Sequence, residues 1–159
     1  MSEVQSRQGG ARVRVPPPLV FVAALLLGGA LSYALPLPIP SSRPIQIATG
    51  VLVAVLGGAL GAAALGLFRK SGQKPQPWEP TPSLLFAGPY QRTRNPMYVG
   101  MTSITLGIGL ALGTLWIPLL SFVALAVVHY TAVLPEEAYL ADKFGQPYLD
   151  YKARVRRYL

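Results

Sequence analysis

Cysteine is absent from the chain, histidine occurs once, and only six residues are acidic. The first absence excludes disulfides, thiolate metal sites and a cysteine nucleophile. A lone histidine leaves zinc without its usual three or four nitrogen, sulfur or oxygen ligands, so no metal is expected. Charge of either sign is scarce: 13% of the 159 residues carry it, against about a quarter in soluble domains. What fills the space is apolar. Hydrophobic residues make up 52% of the chain and mean hydropathy is +0.41, the composition of an integral membrane protein. The formal charge of +8 raises nucleic acid as a partner, but the charges lie in the wrong places for it.

Those charges sit outside long uncharged runs. Residues 1–15 are polar and basic, with Arg7, Arg12 and Arg14, and read as a disordered cytoplasmic arm. Pro16 to Pro40 carries no charge. Its helical part, roughly residues 18–35, spans a bilayer core of about 30 Å at 1.5 Å per residue. That exceeds the apolar stretch of a signal peptide, typically about 7–15 residues. The prolines of "PLPIPSSRP" end this helix, because each removes a backbone donor. Residues 45–68 form a second span, in which Gly57, Gly58, Gly61 and Ala62 permit close helix approach. Packing within the chain is the simpler use of that stripe, and a homodimer through the same helix the alternative. Residues 69–96 are a polar loop with Trp78 as an interfacial anchor. Residues 97–134 again lack Lys, Arg, Asp and Glu. Gly113 and Thr114 divide them into a tight hairpin of two transmembrane pieces. Residues 135–159 read as a broken, basic, amphipathic helix at the surface. The predicted fold is therefore all-α and polytopic, with about four transmembrane helices and a C-terminal cytoplasmic helix.

Orientation follows from the basic residues. Residues 1–15, 69–96 and 135–159 hold every lysine and arginine except Arg43. The positive-inside rule assigns those segments, and both termini, to the cytoplasm. This accounts for the basic balance without nucleic acid and leaves membrane lipids as partners.

Two polar clusters then share that face. The first is "GPYQRTRNPMYVG", residues 88–100. Asn95 suits an N-cap and Pro96 the first helical position, where a missing N–H costs nothing. Capping leaves Tyr90, Arg92, Arg94 and Tyr98 unexplained. Arginines near a positive helix end are unfavourable by some tenths of a kcal/mol, unless an anion or lipid phosphate meets them. In the second cluster, His129 lies in an otherwise apolar span. It is either a functional group or a neutral histidine bonded to a backbone carbonyl. Glu136 and Glu137 follow Pro135, where a helix dipole favours acids. Adjacent helical residues point about 100° apart, so one glutamate faces the bundle and calls for a positive partner. Tyr148, Tyr151 and Val155 make a stripe beyond, with Lys152 and Arg156 beside it.

Taken together, "GPYQRTRNPMYVG", a short apolar hairpin, and "H…EE…L…FG…Y…Y…VRR" resemble the isoprenylcysteine carboxyl methyltransferase and phospholipid N-methyltransferase group of membrane enzymes. The likeness covers residues 84–159. It implies S-adenosylmethionine as methyl donor, held between the last hairpin and the C-terminal helix. The Arg94–Gly100 stretch, with Asn95, Pro96 and Tyr98, and the pair Glu136–Glu137 look like the two cofactor-binding motifs. Tyr90, His129, Tyr148 and Tyr151 look like further pocket wall, and Arg94, Glu136 and Glu137 are the candidate catalytic groups. Carboxyl methyltransferases of the group commonly carry histidine where this chain has Asn95; asparagine resembles the phospholipid-methylating branch. The function so implied is methyl transfer to a lipid-like or prenylated acceptor, through a carboxylate or an amine. Two other readings compete. One is a non-catalytic assembly or lipid-binding protein; the other is an NADPH enzyme similar to sterol reductases, for which this chain is short.

Overall fold

The computed structural model describes residues 10–159 apart from Arg12 and Arg14; most of the expected N-terminal arm therefore lies outside the described residues. All regular structure within them is helical. Helix α1 spans Pro17–Ala34, α2 Arg43–Lys70, α3 Pro96–Leu112 and α4 Trp116–Val128. A wide turn at His129–Val133 carries α4 directly into α5, Leu134–Phe144, and α6 covers Gln146–Arg154. Three helices are long and apolar enough to cross a membrane: α1, α2, and the 29-residue continuous helix Trp116–Phe144. At 17 residues, α3 is shorter, the fourth apolar helix but not a full-length span.

Small residues hold α2 against α3. A methyl group placed on Gly107 would lie 2.5 Å from the Gly50 carbonyl oxygen, so the two backbones touch. Gly100 meets the Gly57 carbonyl in the same way, seven residues or about two turns away along each helix. Gly50 and Gly57 of α2 thus serve packing within the chain, whereas a methyl group on Gly58, Gly61 or Gly66 would meet nothing within 4 Å. The core runs through Phe21, Ala24, Tyr98, Ala124, Val128, Ala132 and Val133. The outward faces of α1, α2 and α4 present Leu26, Leu52, Leu56, Phe122 and Val123, as lipid contact requires.

At one end of the bundle the two short connections fasten to each other. Ile39 N–H donates to the Gly113 carbonyl at 3.0 Å and Leu115 N–H to that of Leu37 at 2.9 Å. Gly113 ends α3 with φ +76°, a left-handed conformation that glycine adopts at low cost. All the long polar segments therefore gather at the opposite end.

The junction at residue 129 departs from the expected break. Pro135 supplies no N–H, and its ring crowds the carbonyl four residues earlier. The five-residue turn absorbs that conflict, with Leu134 N–H bonded to the His129 carbonyl, and the helix continues. Glu136 and Glu137 therefore do not cap a free helix start; side chains must neutralise them.

Candidate functional site

The polar end contains a cavity built by four segments. The start of α3 and the short 3₁₀ turn Gly88–Gln91 form one wall. Glu136, Glu137, Tyr139 and Leu140 of α5 form another, Tyr148 and Tyr151 of α6 a third, and residues from 74 to 85 the roof. The roof is fastened. Thr81 N–H donates to the Tyr139 hydroxyl at 3.2 Å, and Gln73 Nε2 to Ser83 at 2.9 Å. Gly10 and Ala11 N–H donate to the carbonyls of Trp78 and Pro77 at 3.1 and 2.7 Å, so this part of the arm lies on the loop.

Of the residues singled out in the sequence, Tyr90, Arg94, Asn95, Pro96, Tyr98, Glu136, Glu137, Tyr148 and Tyr151 line the cavity. Two do not. Gly100 lies in the α2–α3 crossing, and His129 bonds through Nδ1 to the Tyr158 hydroxyl at 2.9 Å, outside the lining.

The two glutamates are in different states. Glu137 is 6% exposed and saturated with cations. Its Oε1 accepts from Arg157 Nε at 2.8 Å and lies 3.3 Å from Arg94 Nη2. Its Oε2 accepts from Arg157 Nη2 at 2.9 Å and lies 3.3 Å from Lys152 Nζ. A carboxylate has about four lone-pair sites, and all are used. Among the described residues Glu136 has a single side-chain partner, the Tyr98 hydroxyl, donating to Oε2 at 3.0 Å. It is the acid with capacity left.

Arg94 is the converse case. Its side chain is 8% exposed, yet Nε and Nη1 are buried with no hydrogen-bond partner among the described residues. Buried guanidinium donors normally find acceptors; two left open beside a cavity are suited to an anion. The tyrosines stay neutral. Burial pushes Tyr148 and Tyr151 up to about 12. It also raises Tyr90, helped by the negative charge of Glu136.

Val155 and Arg156 were read from the sequence as part of a helical stripe; the extended course of residues 155–158 and the role of Arg157 were not. After α6 the backbone becomes extended at Val155 (ψ 130°), and Arg156 pairs with Thr93 as an isolated parallel bridge. Arg94 N–H donates to the Arg156 carbonyl at 2.9 Å. Asn95 Nδ2 donates to the Arg157 carbonyl at 2.9 Å, and Thr93 Oγ1 does so at 3.2 Å. The Asn95 side chain therefore fastens the C-terminus and makes no cap to α3. In an extended segment alternate side chains face opposite ways, so Arg157 turns inward to Glu137 while Arg156 is exposed.

Residues 45–147 match the phospholipid methyltransferase family. The chain belongs to that family. Comparison with curated proteins gives no match. The matched region runs from α2 to the first turn of α6, and so contains Arg94, Tyr98, Glu136 and Glu137 but not Arg157. Membership makes the chain a membrane methyltransferase of lipid-like substrates, and the apolar helices agree with it. Among the described residues no group of His, Asp or Glu could hold a metal ion.

Proposed function

We propose that the chain transfers a methyl group from S-adenosylmethionine to a lipid-like acceptor at the membrane face that carries the cavity. One observation supports this reading above the rest: the two unpartnered Arg94 donors and the under-used Glu136 carboxylate line a single cavity. They match the carboxylate and the amino group of a methionine-type tail. When bound, S-adenosylmethionine supplies an electrophilic methyl carbon on a sulfonium centre.

The remaining tasks fall to the chain. Arg94 would donate to the carboxylate from Nε or from Nη1, which point to opposite sides of the guanidinium, and charge-assisted bonds of this kind are about twice as strong as neutral ones. Glu136 accepts from the amino group, held in place by Tyr98. The faces of Tyr90, Tyr98 and Tyr148 favour a cation by about 0.5–2 kcal/mol. Leu84, Leu85, Met97 and Leu140 keep water from the reacting atoms, and alignment alone can lower the barrier by about 7–11 kcal/mol. A carboxylate acceptor needs no base. An amine acceptor must lose a proton, for which Glu136 is the cavity's unsaturated carboxylate. We assign the cavity to the cytoplasmic side, because among the described residues Arg43 is the one lysine or arginine at the opposite end.

The test is calorimetric titration of detergent-purified protein with S-adenosylhomocysteine. It is followed by transfer of labelled methyl to an amino phospholipid and to a prenylated thioether carboxylate. Heat on titration and label in one acceptor are expected. Neither heat nor a thermal shift would overturn the reading, and protection by NADPH instead would favour a reductase.

A further inference from the structure

Glu137 touches Arg94, yet it leaves two of that residue's donors open, and the reason lies in the C-terminal segment. Arg157 occupies both Glu137 oxygens with a planar fork at 2.8 and 2.9 Å. Lys152 takes a further position at 3.3 Å. Arg94 is left with one longer contact of 3.3 Å through Nη2 alone. Without Arg157, Glu137 would be a buried carboxylate short of partners beside a guanidinium with two free N–H groups. A bidentate arginine–carboxylate pair is the favoured geometry for such neighbours. It would consume one of the donors the cavity has open, Nε or Nη1, because each forms its fork with Nη2.

We propose that Arg157 is a positioning residue: by saturating Glu137 it restrains that carboxylate from capturing Arg94, and so keeps the Arg94 donor that Glu137 would take, Nε or Nη1, free for an incoming carboxylate. This rests on the cofactor reading above and extends it to a residue beyond the family match. The main chain supports the same arrangement. The carbonyls of Arg156 and Arg157 hold Arg94 N–H and the Asn95 side chain at 2.9 Å each, so the fork arrives with the strand that fixes the backbone of Arg94. Arg157 meets no ligand itself; it acts through Glu137.

The experiment compares two ligands on the full-length protein in detergent. S-adenosylhomocysteine carries the amino acid carboxylate, and 5′-methylthioadenosine lacks it. Arg157→Gln is expected to weaken the first about tenfold, the loss of one charge-assisted hydrogen bond, and to change the second by less than about twofold. Arg157→Lys, which keeps the charge but not the fork, should show a smaller loss with the same selectivity. In the double variant Arg157→Gln/Glu137→Gln the captor is neutral, and affinity for S-adenosylhomocysteine should recover. Equal losses for both ligands, in either single variant, would reduce Arg157 to general structural support and overturn the proposal. So would an unchanged affinity. A wild-type protein that binds neither ligand would instead bring down the cofactor reading itself, and this assignment with it.

Discussion

The hydroxyl of Tyr98, one turn into α3, donates to Oε2 of Glu136 at 3.0 Å across 38 residues of sequence. This bond joins the two polar clusters and orients the one carboxylate of the pair that is not enclosed by cations. Tyr98→Phe keeps the ring and removes the bond. We expect affinity for S-adenosylhomocysteine to fall about tenfold, since a hydrogen bond to a charged group contributes about 1.5–3 kcal/mol. Glu136→Gln, which removes the charge, should weaken binding at least as much. Titration calorimetry on both variants checks this, and full affinity in both would remove Glu136 from the cofactor's surroundings.

Arg94 and Glu137 should separate binding from stability. Arg94→Ala leaves Glu137 paired with Arg157 and Lys152, so the fold should persist while S-adenosylhomocysteine binding is lost. Glu137→Ala leaves three cations clustered. Breaking a buried pair costs about 3–5 kcal/mol. With Arg157 and Lys152 partly exposed, about 2 kcal/mol is the reasonable expectation. Thermal unfolding in detergent, run beside the titrations, distinguishes the two outcomes.

Gly107 and Gly58 make a paired test of helix packing. An added Cβ on Gly107 meets backbone atoms of α2 at 2.5–2.6 Å, so Gly107→Ala must push α2 and α3 apart, at about 1–3 kcal/mol. Gly58 has no neighbour within 4 Å. Gly58→Ala should be neutral or stabilising by up to about 1 kcal/mol, the helix preference of alanine over glycine. Unfolding midpoints of the two variants should move in opposite directions or, for Gly58, not at all.

Alkaline pH should loosen the site through Tyr148. Its phenol rises from 10.0 to about 12 on folding, chiefly through burial and then the charge of Glu137. The unfolded chain then binds fewer protons than the folded one between those values, and stability falls as pH rises through them. Below pH 10 the residue contributes no slope. Tyr148→Phe should flatten the decline between about pH 10 and 12, measured as unfolding midpoint against pH and compared with wild type.

Much of this architecture was readable from residue type alone. Uncharged runs of membrane length gave α1 and α2, and Gly113 gave the hairpin turn, because each signal is local. Asn95-Pro96 marked the start of α3 for the same reason. The meeting of Arg94–Tyr98 with Glu136–Glu137 followed from the hairpin between them. What stayed hidden depends on distant contacts. Pro135 reads as a helix end, yet a wide turn upstream lets the helix pass. Nothing local selects Arg157 over Arg154 or Arg156; only the extended segment and its bridge to Thr93 decide which one turns inward. Gly100 stands inside a motif-like stretch, but the partner that explains it is Gly57, in another helix. The roof over the cavity comes from a proline-rich loop with no period to read.

The wide turn at His129–Val133 also sets the angular phase of everything downstream. One additional residue advances a helix by about 100°, so a uniform helical wheel drawn from Trp116 would aim the acid pair at the wrong neighbours. Deleting a single residue there would rewind α5 by that angle and carry Glu136 away from Tyr98, although no charged residue had been altered. The distance in sequence from the lipid-facing run to the acid pair is thus an indexing device, intolerant of a one-residue change that an exposed connecting loop would accept.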